Sequence, residues 1–192
     1  ELMHSAVEPN STSMAALIGL NCNQIEAVIK TNNLQIEIAN DNSPGQVVVS
    51  GLDQDIINSE KIFVSEGIKK FVKLNVSAAF HSKFMIHAQE KLNLEIDKVK
   101  FIDPICSIIS NYDASVNASS KNITKNLKLQ MSNRVRWTES ILELEKNNEN
   151  VIGVSIHSGD DMEIEHANFL INTYQNTGFP SGMVDRVVAT TD

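Results

Sequence analysis

What most constrains the fold of this chain is a hydrophobic period that switches repeatedly between 2 and 3.6 from Met14 to Val76. "MAALIGL" (Met14–Leu20) is a short apolar run that reads as a strand. "NQIEAVIK" (Asn23–Lys30) sets Ile25, Val28 and Ile29 at the i, i+3, i+4 spacing of one helix face. "LQIEIAN" (Leu34–Asn40) alternates Leu34, Ile36 and Ile38 with Gln35 and Glu37, as a half-buried strand does. "NSPGQ" (Asn42–Gln46) is turn chemistry, since Pro44 fixes φ and Gly45 accepts φ > 0. "QVVVSG" (Gln46–Gly51) is β-branched and reads as a strand. "DQDIINSEKIFVSEG" (Asp53–Gly67) predicts a helix with Asp53 as N-cap, Gly67 as terminator, and Ile56, Ile57, Phe63 and Val64 on one face. "IKKFVKLNV" (Ile68–Val76) is strand-like again. The β-α-β-β-α-β order is the ferredoxin-like arrangement.

Beyond Val76 the pattern changes. Phe84 to Val99 predicts a long helix, with Met85, Ala88, Leu92, Ile96 and Val99 three or four apart. "ICSIISN" (Ile105–Asn111) reads as a buried strand after Pro104. "ITKNLKLQM" (Ile123–Met131) and "WTESILELEKN" (Trp137–Asn147) read as helices, and "NVIGVSI" (Asn150–Ile156) as a strand. Strands and helices in alternation predict part of an α/β layer.

Composition narrows the function. A net charge of −8 argues against a nucleic-acid surface, which needs a basic face. No apolar run approaches the roughly 20 residues of a membrane span, and residues 1–20 lack the parts of a signal peptide. Cys22 and Cys106 form no CxxC pattern, which fits a reduced, cytoplasmic protein. The chain opens on Glu1, and a fragment is the expectation.

The residue that stands out is His81, in "LNVSAAFHSKFM" at the passage from strand to helix. Ser77, Ala78, Ala79 and Ser82 surround it. Small neighbours leave room for a substrate beside the imidazole, and Ser82 is placed to cap the following helix.

"MAALIGL", "NDNSPGQVVVSG", "NVSAAFHSKFM", "DPICSIISN" and "VRWTESI" occur here in order. Together they resemble malonyl-CoA:acyl carrier protein transacylase over about residues 1–152. The resemblance implies an α/β (α+β) fold. A ferredoxin-like subdomain (12–75) is followed by the C-terminal part of an α/β-hydrolase-like core (76–152), with an atypical tail (153–192). It implies malonyl transfer from coenzyme A to acyl carrier protein through a serine ester, with no cofactor. A serine hydroxyl is a weak nucleophile until a base lies within hydrogen-bond reach, and the oxyanion needs fixed donors. The resemblance makes His81 that base. It sets Asn42 near the substrate cleft, although Asn before Ser-Pro-Gly is also good turn chemistry.

Other parts of the pattern do not occur in these residues. There is no Gly-His-Ser-x-Gly elbow, no matching carboxylate-binding arginine, and no Gly-Pro-Gly-Lys-like segment after "NVI", from which an orienting carbonyl for the histidine is expected. "GVSIH" (Gly153–His157) is a decoy, because an elbow needs small residues on both sides of its serine. No transacylase activity is expected of the chain alone. His157, Asp160, Asp161, Glu163, Glu165 and His166 match no metal-ligand spacing and read as a solvated segment. Lys128, Arg134 and Arg136 form a small basic patch near Trp137. It reads first as solvated charge and second as a contact for phosphopantetheine or the acidic carrier protein. Arg134 stands where the family commonly has proline.

"FPSGMVDRVVATTD" (Phe179–Asp192) instead resembles the mannitol dehydrogenase and fructuronate reductase group, with Asp185 at an active-site aspartate, but without that group's dinucleotide glycines or catalytic lysine. Two signals meeting near residue 152 predict a fusion or misassembled frame. The rival from another class is a non-catalytic ferredoxin-like module that docks acyl carrier protein or another subunit; a polyol dehydrogenase fragment is the third reading.

Overall fold

Strands β1 (Thr12–Ile18) and β3 (Gln46–Leu52) are apolar almost throughout because both faces of the sheet they build are covered. The computed structural model describes residue 3 and residues 6–147. On one face Ala15, Leu17, Val47 and Val49 pack with Ile36 against Ile25, Val28, Ile56 and Phe63. On the other, Met14, Ala16, Ala39 and Val48 pack against Val72, Leu74, Val76 and Phe80. Full burial of each large apolar side chain contributes about 1.5–3 kcal/mol.

The elements follow the predicted order: β1, α1 (Cys22–Thr31), β2 (Ile36–Ser43), β3, α2 (Asp53–Ser65) and β4 (Lys70–Lys73). The strands lie in the order β4-β1-β3-β2, and these four pair antiparallel. Ser43 pairs with Gln46, so Pro44 and Gly45 alone make the β2–β3 turn, with Gly45 at φ 93°. Helix α1 opens on a reciprocal box. Asn21 Oδ1 accepts from the Gln24 amide at 3.0 Å, and Gln24 Oε1 accepts from the Asn21 amide at 2.9 Å.

Helix α2 departs from expectation at two points. Its N-cap is Leu52, with no side-chain cap bond, and Asp53 is the first helical residue. The Asp53 carboxylate pairs with Lys73, which holds its pKa below the usual carboxylate value. Ile56 and Phe63 are buried, but Ile57 and Val64 are exposed. Positions 56 and 63 are seven apart and share a face, whereas 57 and 64 lie about 100° round the helix. Gly67 does terminate the helix, at φ 94°.

The segment after the first four strands is sparser. A 3₁₀ turn (Lys83–Met85) leads into α3 (Ile86–Ile96), shorter than the predicted Phe84–Val99 helix. The expected buried strand at Ile105–Asn111 shrinks to β5 (Ile108–Ile109), paired with β6 (Val116–Asn117). Ile105 is fully exposed and Ile108 is 39% exposed, because a two-residue ladder buries neither face. Helix α4 (Ser120–Gln130) follows. Strand β7 (Val135–Arg136) then adds in parallel to β2, completing a five-stranded sheet, and α5 (Trp137–Asn147) ends the described residues. The strand expected at 150–156, the acidic and histidine cluster and the 153–192 tail lie outside them. Among the described residues no helix is long and apolar enough to cross a membrane.

Candidate functional site

Three of the four small residues around His81 are there to be buried; Ser77 is exposed. Ala78, Ala79 and Ser82 are wholly inaccessible, which leaves space only for short side chains. The Ala79 amide donates to Thr12 Oγ1 at 3.0 Å, fastening the turn to the start of β1. Ser82 Oγ donates to the Ala79 carbonyl at 2.6 Å. Ser82 therefore closes this turn; it holds the N-cap position of the 3₁₀ turn but makes no cap bond there, contrary to expectation. The Lys83 amide donates to Glu37 Oε2 at 3.1 Å, fastening the same turn to β2.

Between these anchors His81 adopts φ 55°. A left-handed residue with a Cβ costs about 1–2 kcal/mol. Such conformations persist where the surroundings over-determine them, and they concentrate at functional sites.

His81 Nδ1 lies 3.2 Å from the carbonyl oxygen of Gln130, the last residue of α4. A carbonyl can only accept, so Nδ1 carries the proton and, in the neutral ring, Nε2 keeps its lone pair. Burial pushes the imidazole pKa below its ordinary value of 6.5, against the opposing effect of backbone bonds to Gln130 and Asn133. The ring is thus neutral at pH 7, with one nitrogen fixed and the other able to take a proton. His81 lines a cleft of about 330 Å³ together with Ile36 and Glu37 of β2, Ile29 of α1, and Ser132 to Arg134 after α4.

Arginine 134 also reaches across to α1. Its guanidinium donates to Glu26 Oε1 and, at 3.1 Å, to Cys22 Sγ, and it pairs with Glu139. Arg136 donates to both oxygens of Glu139 at 3.1 and 2.9 Å, and Lys128 pairs with Asp97. The basic patch read from sequence is therefore already matched by carboxylates. Burial pushes the neighbouring Cys22 thiol up to about 11. Asn42 is half-buried and sits at a β2 irregularity between Asp41 and Ser43, so it has no partner in the β3 register. It is not among the residues lining the His81 cleft.

The malonyl-CoA–acyl carrier protein transacylase of Bacillus subtilis (strain 168) is 33% identical to this chain over 148 residues, covering 75% of this chain and 46% of that protein. An acyl carrier protein S-malonyltransferase structure from Vibrio cholerae superposes with a TM-score of 0.72 at 28% identity, covering 76% of this chain and 48% of that one. Over three quarters of its length, this chain belongs to the malonyl-CoA:acyl carrier protein transacylase family. A malonyl-transacylase solved in complex with a type II polyketide acyl-carrier protein superposes at 0.71 with 29% identity, over 76% of this chain and 48% of that one. No family model matches. The chain spans about half the length of the curated transacylases it matches. The polyol dehydrogenase resemblance of the tail gains no support from these relatives.

The structure gives His81 an orienting carbonyl from Gln130; the segment after "NVI", from which one was expected, lies outside the described residues. Sequence reasoning missed Gln130 because the pair is 49 residues apart and the acceptor is a main-chain atom, which carries no residue-type signal.

Proposed function

We propose that this chain carries the general-base half of a malonyl-CoA:acyl carrier protein transacylase, with His81 as the base. The observation that carries the reading is the Nδ1 bond to Gln130, which leaves Nε2 to accept a proton. In this mechanism Nε2 takes the proton of a serine hydroxyl as its oxygen attacks the malonyl thioester. The collapsing intermediate expels coenzyme A thiolate, which receives that proton from the imidazolium. The carrier protein's thiol then repeats the sequence in reverse order of roles and releases the serine. Malonyl-CoA and acyl carrier protein are the proposed partners, and the cytoplasm the proposed compartment. Asn42, which does not line the His81 cleft itself, is proposed as a secondary substrate-binding residue.

No Gly-His-Ser-x-Gly motif occurs in the 192 residues, so the serine must come from another segment. The test is a chimera in which residues 1–147 replace the matched region of the Bacillus subtilis transacylase. Malonyl transfer from coenzyme A to carrier protein is expected, with a loss of at least about 100-fold on His81→Ala. Transfer that survives His81→Ala would refute the base role. The 192-residue chain alone should neither transfer malonyl nor react with a fluorophosphonate probe. Transfer by the chain alone that His81→Ala abolishes would overturn that expectation, and probe labelling would favour a serine hydrolase.

A further inference from the structure

The bond between His81 and Gln130 is only as good as the position of the Gln130 carbonyl, and that position is set from a third element. Gln89, on the buried side of α3, directs Oε1 at the turn after α4. Oε1 accepts from the Ser132 amide at 3.0 Å and from Ser132 Oγ at 2.9 Å. An amide N–H can only donate, so the orientation of the Gln89 side chain is forced.

The end of α4 takes its remaining partners from the turn that follows it. The last four carbonyls of a helix have no partner inside it. Here the Asn133 side chain donates to Leu129 O at 2.7 Å, and the Asn133 amide donates to Gln130 O at 3.3 Å, beside the His81 bond. Gln130 Nε2 in turn donates to the carbonyls of Asn133 and Arg134 at 3.1 and 3.4 Å. Among the described residues, apart from the α4 backbone ladder and the Arg134 guanidinium, which reaches Cys22, Glu26 and Glu139, the bonds of this knot leave residues 129–134 only for His81 and Gln89. Gln89 is therefore the tie between the knot and the α3 scaffold on which the His81 turn leads.

We propose that Gln89 is a positioning residue that sets the His81 tautomer by holding the 131–134 turn, and with it the Gln130 carbonyl, against α3. Gln89 acts through Ser132 and Gln130 and does not touch the reacting atoms. This rests on His81 being the base only for its catalytic meaning; the tautomer itself is measurable without turnover.

The experiment uses the full 192-residue chain, ¹⁵N-labelled at histidine, with the His81 signals assigned by their loss in His81→Ala. In the parent chain long-range ¹H–¹⁵N spectra should show protonated Nδ1 and unprotonated Nε2 above the titration. Gln89→Leu keeps the side chain's bulk and removes the acceptor. The ratio of the two tautomers should fall about threefold to tenfold, the worth of one hydrogen bond. Gln89→Glu retains an acceptor for both Ser132 donors and should restore the parent ratio at pH 7. Ile96→Ala unsettles the same helix without touching Ser132 and should leave the ratio unchanged. If Gln89→Leu does not fold, Ser132→Ala, which deletes one of the two bonds, carries the test with a fall of about twofold to fivefold. A folded Gln89→Leu with the parent ratio overturns the proposal, as does an equal change in Ile96→Ala. Failure of the base reading looks different: in the chimera transfer would survive His81→Ala while the tautomer still answered to Gln89.

Discussion

Replacing His81 by glycine should leave the protein more stable than replacing it by alanine. At most positions the order is the reverse, because glycine has more backbone freedom to lose on folding, about 0.5–1 kcal/mol against alanine. At φ 55°, however, alanine retains the left-handed penalty of about 1–2 kcal/mol, and glycine removes it. Both variants lose the bond to Gln130 and the packing of the ring, so those contributions cancel in the comparison. The difference left has a central value of about 0.75 kcal/mol in favour of glycine, within a range of about 0–1.5 kcal/mol. Urea unfolding of the two variants at pH 7.5, followed by far-UV circular dichroism, measures it directly. An alanine variant more stable than the glycine variant would refute the reasoning, since the turn would then relax out of the left-handed region. The comparison separates what the imidazole contributes from what its backbone conformation costs.

Two further outcomes follow from the titrating groups. His81 has a folded pKa lowered by burial, so the unfolded chain binds the extra proton first as pH falls. The stability of the parent chain relative to His81→Gly should be fully present above about pH 6.5 and decline as pH drops through the folded pKa; a difference that instead grows on acidification contradicts the burial. With its thiol pushed up to about 11, Cys22 should be alkylated far more slowly at pH 8 than exposed Cys106, and mass spectrometry after brief iodoacetamide treatment should find one modified cysteine, at position 106.

The small sheet was legible because its signals are local and agree with one another. Alternation in β2, β-branching in β3, Pro44-Gly45 at the hairpin and Gly67 after α2 each name one structure, and they name compatible ones. Errors arose where a residue type serves two ends. Asp53 is as good in a first turn, paired with Lys73, as at a cap, and Ser82 found a carbonyl before it found a helix. The apolar run at Ile105–Asn111 reads as a core strand only if something lies on it, and among the described residues β5 has a single two-residue neighbour. The setting of His81 was visible as a cluster of small residues. Its partner was not, because a main-chain oxygen 49 positions away leaves no trace in residue identity. The basic patch illustrates the same limit from the other side, since Glu26, 108 positions from Arg134, neutralises it across a separation the sequence does not display.

Strand β7 is two residues long, yet it joins two otherwise separate parts of the structure. Val135 and Arg136 join β2 on one side, and the Arg136 amide donates to the Asn111 carbonyl at 2.9 Å on the other. The segment begins directly after the turn that Gln89 and Gln130 hold. The sheet and the carbonyl that holds His81 are thus joined at one seam.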